Sequence, residues 1–156
     1  MKLHSATPAA AVAALAMALV APLSAHADIP GKHPGFLHAL TDLRSARWLI
    51  AHRPGDAAVS AHEDVATKDI VAAISDIQRA AIDDGKGLED HPALDAPASK
   101  QGRLQRALEI LKTAHEDVNA EEDNPQAREL KKVALKNIDA AYHEVDGALW
   151  DLGHGK

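Results

Sequence analysis

The sequence predicts an all-α fold, an antiparallel up-down-up-down four-helix bundle built from two related helical hairpins. Beyond residue 27 the chain is rich in Ala, Leu, Glu, Lys and Arg, which favour helices. Apolar residues recur there every three to four positions in four segments, and the alternation typical of a strand is missing. Short connections within each hairpin favour antiparallel neighbours, and four such helices can close into a bundle.

The first 27 residues have the pattern of a secretory signal peptide. Lys2 gives a positive start, residues 9–23 are apolar, and Ala25-His26-Ala27 is a cleavage site of the A-x-A type. Cleavage is therefore predicted after Ala27, which makes the protein periplasmic or secreted. No later apolar stretch is long enough to cross a bilayer, so we expect no membrane association after cleavage.

The composition excludes several classes of function. The chain has no Cys, which rules out disulfides, zinc–thiolate sites, iron–sulfur clusters and cysteine catalysis. A net charge of −6 and an aromatic content of 3% argue against a nucleic-acid partner. The segment 28–156 has the length of a single domain.

Two hairpins, 35–83 and 99–150, are predicted on either side of a linker, 84–98, which contains two Gly and two Pro. Asp56 is the expected cap of the second helix, Ser99 that of the third, and Asn124-Pro125 starts the fourth. The helices are predicted over residues 35–52, 57–82, 99–118 and 125–150.

One face of each predicted helix is apolar at helical spacing and should form the core. These faces comprise Phe36, Leu40, Leu43, Arg47 and Ile50; Val59, Glu63, Ala66, Ile70, Ala73, Ile74 and Ile77; Leu104, Leu108, Leu111, His115 and Val118; and Leu130, Ala134, Ile138, Ala141, Val145 and Ala148.

An ungapped internal repeat supports the two hairpins. A shift of 68 positions places residues 66–80 over residues 134–148 with several identities, such as Ile70 over Ile138. The same shift places Leu40 over Leu108 in the first helix of each hairpin. Because one register holds across two helices, we interpret the chain as a duplicated helical hairpin.

The repeat also predicts a polar layer inside the bundle. It aligns Arg47 with His115 and Glu63 with Lys131, and in an up-down-up-down bundle all four lie about two turns from the same end. Two fixed cations would repel a metal ion, so the interpretation favoured here is structural. An Arg47–Glu63 ion pair would set the register of the helices.

Histidine is the main candidate for metal chemistry, because eight of the ten His follow residue 27 and imidazole and carboxylate ligands suit Cu(II), Ni(II) and Zn(II). The tetrapeptide His-Glu-Asp-Val occurs at 62–65 and at 115–118, and up-down-up-down order would bring the two copies together. The candidate metal ligands are His62, His115 and Glu116 at that end and His33, His38 and His91 at the other. No motif for a tight metal site is present.

Two tryptophans are candidates for binding a partner. Trp48 and Trp150 lie off the predicted core faces of the first and fourth helices. They could form an exposed apolar patch for a protein partner or a second copy of the chain, or they could cover the ends of the bundle.

Three segments carry a resemblance to known proteins: HPGFLHALTDLRSAR (33–47), DDGKGLEDHPALD (83–95) and EEDNPQA (121–127). They look like segments of small exported bacterial α-helical proteins of unknown function. In build, the chain is also similar to small periplasmic His-rich four-helix bundles that bind metals. The resemblance implies an exported helical bundle and a divalent metal as a possible ligand.

Two hypotheses of function follow from the sequence, neither of which makes the protein an enzyme. The first is a periplasmic helical bundle that binds divalent metal weakly through His and carboxylate clusters. The second is a protein-interaction or stress-protective module without a metal role. This module would use Trp48, Trp150 and the acidic loop 119–124.

Overall fold

Each of the four predicted amphipathic segments forms one α-helix in the computed structural model, which describes residues 33–52, 60–80, 84–121 and 127–155. The predicted signal peptide lies outside these residues. The all-α prediction is confirmed for the described part of the chain, which contains no strand. The helices are α1 (Pro34–Ala51), α2 (Ala61–Arg79), α3 (Lys100–Ala120) and α4 (Arg128–His154).

The helix starts follow from side-chain capping. The Ser99 side chain accepts a hydrogen bond from the Gly102 N–H, which confirms the predicted cap of α3. For α2 the predicted start was wrong, because Ser60 is extended and is itself the N-cap. Ser60 and Glu63 form a reciprocal capping box there, in which each side chain binds the backbone N–H of the other residue. The predicted start of α4 at Asn124-Pro125 lies outside the described residues.

The predicted apolar faces form the core. Among the predicted core residues that the structure describes, all are buried except Arg47, Leu108, His115 and Leu130, which are half-buried. Among the charged residues on the predicted apolar faces, Glu63 is fully buried. None of the described helices is long and apolar enough to span a membrane.

The order of the helices differs from the prediction. The first residues of α1 contact the end of α3, since the Gly35 N–H donates to Glu121 over 2.7 Å. The start of α2 contacts the end of α4, where His62 Nδ1 lies 2.6 Å from Glu144 Oε2. Each helix of the first hairpin is thus antiparallel to its counterpart in the second.

The start of α3 lies beside the start of α2, because Lys100 Nζ is 2.8 Å from Glu63 Oε2. The helices therefore run up, down, down, up, and the predicted up-down-up-down order is corrected. Around the bundle α1 contacts α2 and α3, α4 contacts the same two helices, and the backbones of the diagonal pairs do not approach each other. We call the end that holds Trp48 and Trp150 the tryptophan end, and the opposite one the Glu121 end.

The linker makes this order possible. It leaves α2 at the Glu121 end and must reach the start of α3 at the tryptophan end. Arg44 of α1 donates to both carboxylate oxygens of Asp84, at 2.6 and 2.7 Å, and to the Lys86 carbonyl at 3.2 Å. One turn further, Arg47 donates to Glu89 at 2.7 Å. The linker consequently lies along α1, with Leu94 and Ala96 packed against the core.

The 68-residue repeat is matched by contacts between α2 and α4. Asn137 donates to Asp76 over 2.8 Å. The shift converts this pair into Asp69 and Glu144, and burial together with the Glu144 charge raises the pKa of Asp69. Equivalent positions of the repeat thus lie close to each other across α2 and α4. Duplication of one hairpin stays a prediction.

Candidate interaction surface

Trp48 holds the linker at the tryptophan end. Its half-buried ring stacks on His52 with the ring centroids 4.2 Å apart, and His91 of the linker lies 4.8 Å from it. The stacking partner follows from helical spacing, since residues four apart share a face. Trp48 therefore covers the end of α1 and orders the linker.

Trp150 repeats this arrangement on α4 but is open to solvent. Its ring stacks on His154 with the centroids 4.0 Å apart, and the residue is 52% exposed. Leu152, in the same turn, is 42% exposed. Since α1 and α4 both end here, the structure brings the two predicted partner-binding residues to one end, on diagonally opposite helices.

His62 links α2 to α4 at the same end. Its Nδ1 lies 2.6 Å from Glu144 Oε2 and its Nε2 lies 3.6 Å from Asp151 Oδ2. The hydrogen bond to Glu144 and the charges of both carboxylates raise the pKa of His62. Gly147 leaves room for the ring, because a Cβ there would lie 3.0 Å from it. His62 and Glu144 therefore form a pH-dependent ion pair that joins α2 to α4.

Replacing His62 by Gln is expected to lower the free energy of unfolding by about 1 kcal/mol at pH 6, the size of a partly exposed charged pair. The contribution of a group whose pKa is raised by folding is complete below its unfolded pKa of about 6.5, and it disappears as the pH rises through the higher folded-state pKa. Urea unfolding at pH 6 and pH 9 measures it. His143→Gln, on an exposed face of α4, is the control. An equal loss at both pH values would contradict an ion pair between His62 and Glu144.

His33 and Glu121 fix the start of α1. His33 adopts a left-handed backbone conformation with φ 69°, and its Nδ1 lies 3.1 Å from Glu121 Oε1. The other oxygen of Glu121 accepts the Gly35 N–H, so this carboxylate serves as the cap that the helix's own residues do not supply. These contacts assign His33 a structural role at the Glu121 end.

Two acidic residues face each other between α1 and α3. Burial raises the pKa of Asp42 to about 6; the charge of Asp117 adds to the shift, and His38 and Arg106 oppose it. Burial also raises the pKa of Asp117, against the effect of His38. His38 thus lies near both carboxylates and opposes the two shifts.

The predicted polar layer is not formed. Arg47 and Glu63 lie toward the tryptophan end, whereas His115 and Lys131 lie toward the Glu121 end, because the two hairpin turns are at opposite ends. Glu63 binds Ser60 and Lys100 instead of Arg47. Although burial alone would raise the pKa of Glu63, these hydrogen bonds lower it.

The other members of that layer have partners outside a common layer. His115 Nε2 lies 3.4 Å from Asp139 Oδ1 of α4. Lys131 donates to the carbonyls of Asn119 and Glu121, at 3.1 and 2.7 Å, and so closes the last turn of α3. The 68-residue shift pairs these residues in sequence, but the reversed second hairpin separates them in space.

The predicted metal ligands are also distributed between the two ends of the bundle differently from the prediction. His62 and His91 lie toward the tryptophan end, whereas His33, His38, His115 and Glu116 lie toward the Glu121 end, so the two His-Glu-Asp-Val copies are not together. Within the described ranges, no group of three or more His, Asp or Glu side chains could hold a metal ion. Metal binding by these residues stays a prediction.

A groove between α3 and α4 is the second open surface. It has a volume of about 340 Å³, with Leu111, Ile138 and Tyr142 forming an apolar floor. Lys112 and His115 are among its polar lining residues. A neighbouring cavity of about 370 Å³ shares Lys112 and Tyr142 and extends the groove along α3 to Leu108.

Two structural contacts were not predicted from the sequence. The Ser60–Glu63 capping box has a readable signature, because Ser is followed by Glu three positions later. The Arg44–Asp84 pair has no such signature, since the two residues are 40 positions apart and meet only when the linker folds back along α1.

Comparisons with protein-family models, with curated proteins and with solved structures found no match to this chain. The resemblance to small exported helical proteins therefore stays a prediction.

Proposed function

We propose that the protein is an exported, non-enzymatic protein-interaction module that docks a partner through the tryptophan end. The observation that carries this proposal is the exposure of Trp150 and Leu152 at the end where both tryptophans lie. Tryptophan is enriched among residues that dominate the energy of protein interfaces, and exposed apolar side chains grouped at one place can mark an interaction site.

Export is part of the proposal and is supported by the leader pattern of residues 1–27. The non-enzymatic role is supported by what the described His–carboxylate pairs do. His33, His62 and His115 each join two helices of the bundle. These three pairs therefore hold helices of the bundle together.

Site-specific photo-cross-linking in cells that express the full-length chain tests the proposal. A photoreactive residue in place of Leu152 is expected to give a discrete protein adduct. The same residue in place of Lys136, which is exposed further back on α4, is the matched control and is expected to give none. Trp150→Ala should reduce the Leu152 adduct several-fold, since it removes the anchor ring.

The outcomes separate the hypotheses. An adduct of twice the chain mass identifies the partner as a second copy, and an adduct of any other mass identifies another protein. No adduct at position 152, or equal adducts at 152 and 136, would overturn the proposal. An adduct that a metal chelator abolishes would instead favour the metal-binding hypothesis.

A further inference from the structure

The α3–α4 groove has a counterpart in the first hairpin that is already filled. The 68-residue shift converts Lys112 into Arg44, His115 into Arg47 and Leu108 into Leu40. On α1 the two arginines bind the linker: Arg44 binds Asp84 and Lys86, and Arg47 binds Glu89. The first hairpin therefore shows how a non-helical segment docks on this face.

The exposure of the two faces differs accordingly. Arg44 and Leu40 are fully buried at 0% exposure. Their counterparts are open, since the Lys112 side chain is 72% exposed and Leu108 is half-buried. On the neighbouring helix, Ile74 is buried whereas its counterpart Tyr142 is half-buried and lines the groove. The second hairpin thus presents the same kind of face without its cover.

We propose that the α3–α4 groove binds an extended segment of another protein, with a carboxylate facing Lys112 and an apolar side chain about ten residues further along. The linker supplies this pattern, because Asp84 lies on Arg44 and Leu94 packs against the core. The occupant is thus a partner segment chemically like residues 84–96. This surface is separate from the tryptophan end, so it does not depend on the function proposed above.

The charges around the groove leave the Lys112 ammonium group available to bind a carboxylate. Lys112 makes a long contact of 3.9 Å with Glu116, its neighbour one turn on, and both side chains are largely exposed. Exposed pairs of this kind contribute little, so a carboxylate in the groove can replace Glu116 at low cost. His115 lies 3.4 Å from Asp139, so the far side of the groove already contains one carboxylate. One acidic position therefore suits the groove better than a strongly acidic segment.

A peptide titration followed by NMR tests the inference on protein purified after export from cells expressing the full-length chain. The probe is a blocked synthetic peptide with the sequence of residues 84–96. It is expected to give saturable shifts of Leu108 and Tyr142, the latter being the single Tyr of the chain. A peptide with Asn in place of its first Asp should bind about tenfold more weakly, because it loses the charge-assisted contact.

Variants of the protein identify the groove. Lys112→Glu is expected to weaken binding about tenfold or more, and Lys68→Glu, on an exposed face of α2, should leave it unchanged. Lys112→Arg should tighten binding, because it restores the residue found at position 44. Absence of saturable shifts, shifts confined to Trp48 and His91, or equal losses in the two Glu variants would each overturn the inference.

Discussion

Replacing Asp84 by alanine is expected to lower the free energy of unfolding by about 3 kcal/mol, the cost of leaving a buried charge without its partner. Arg44 is fully buried, and the paired hydrogen bonds to Asp84 are its main compensation. The variant also releases the linker from α1. Urea unfolding followed by circular dichroism at pH 7 measures the loss.

Glu89→Ala is the matched control for this prediction. Glu89 pairs with the next arginine of α1, but its side chain is 76% exposed, so its removal should cost less than about 0.5 kcal/mol. Equal losses in the two variants would show that burial does not distinguish the pairs. Replacing Arg44 and Asp84 together by leucine should cost less than Asp84→Ala alone, since no buried charge is then left unpaired.

The Asp84 contribution also has a defined pH dependence. Burial alone would raise the pKa of Asp84, but the hydrogen bonds from Arg44 lower it below its usual value. The stabilisation is therefore complete above the unfolded pKa of about 3.9 and is lost as the pH falls through the lower folded-state pKa. The difference between wild type and Asp84→Ala should persist at pH 5 and shrink only under stronger acid.

Gly35→Ala is expected to lower the free energy of unfolding by about 2 kcal/mol, the usual size of an overpacking effect. A Cβ at this position would lie 2.6 Å from the carbonyl oxygen of Asp117 and 2.6 Å from Glu121 Oε2. The backbone oxygen cannot move without shifting α3, and displacement of Glu121 removes the cap of α1. Thermal unfolding followed by circular dichroism measures the effect.

Gly153→Ala is the control at the other end of the bundle. A Cβ there meets no atom within 4 Å, and the residue lies inside α4. Alanine should therefore raise the free energy of unfolding by about 0.5 kcal/mol through helix propensity. A Gly35→Ala variant as stable as wild type would show that α1 and α3 do not approach as closely as described.

The two proposals concern different surfaces and can fail separately. Trp150→Ala acts at the tryptophan end and leaves the cation of the groove in place. Lys112→Glu changes the groove and leaves the stacked Trp150–His154 pair intact. A protein that loses partner adducts with the first variant and peptide binding with the second would have two independent binding surfaces.

Local patterns predicted much of the fold. The spacing of apolar residues identified the face of each helix that became buried, and Ser99 marked the start of α3. The predicted start of α2 was wrong, because Ser60 is the N-cap and forms the capping box with Glu63. These signals lie within one or two turns, which is the range over which sequence spacing determines geometry.

The candidate site could not be predicted in the same way, because its members come from distant segments. The separation of His62 from His115, and of Glu63 from Lys131, follows from the direction of the second hairpin. That direction depends on linker 84–98, whose length permits either a short crossing at one end or a passage along the whole bundle. The linker passes along the bundle, and Arg44 and Trp48 contact it on the way.

For the part of the chain that the structure describes, the sequence by itself determined the helical class, the number of helices and the face that each one buries, because helical periodicity is a property of neighbouring residues. Only the tertiary structure decided which histidines share an end, where the two tryptophans meet the solvent, and which hairpin face the linker covers. Those features depend on contacts between residues far apart in the chain, such as Arg44 with Asp84, whose free energy is realised only after the helices have packed.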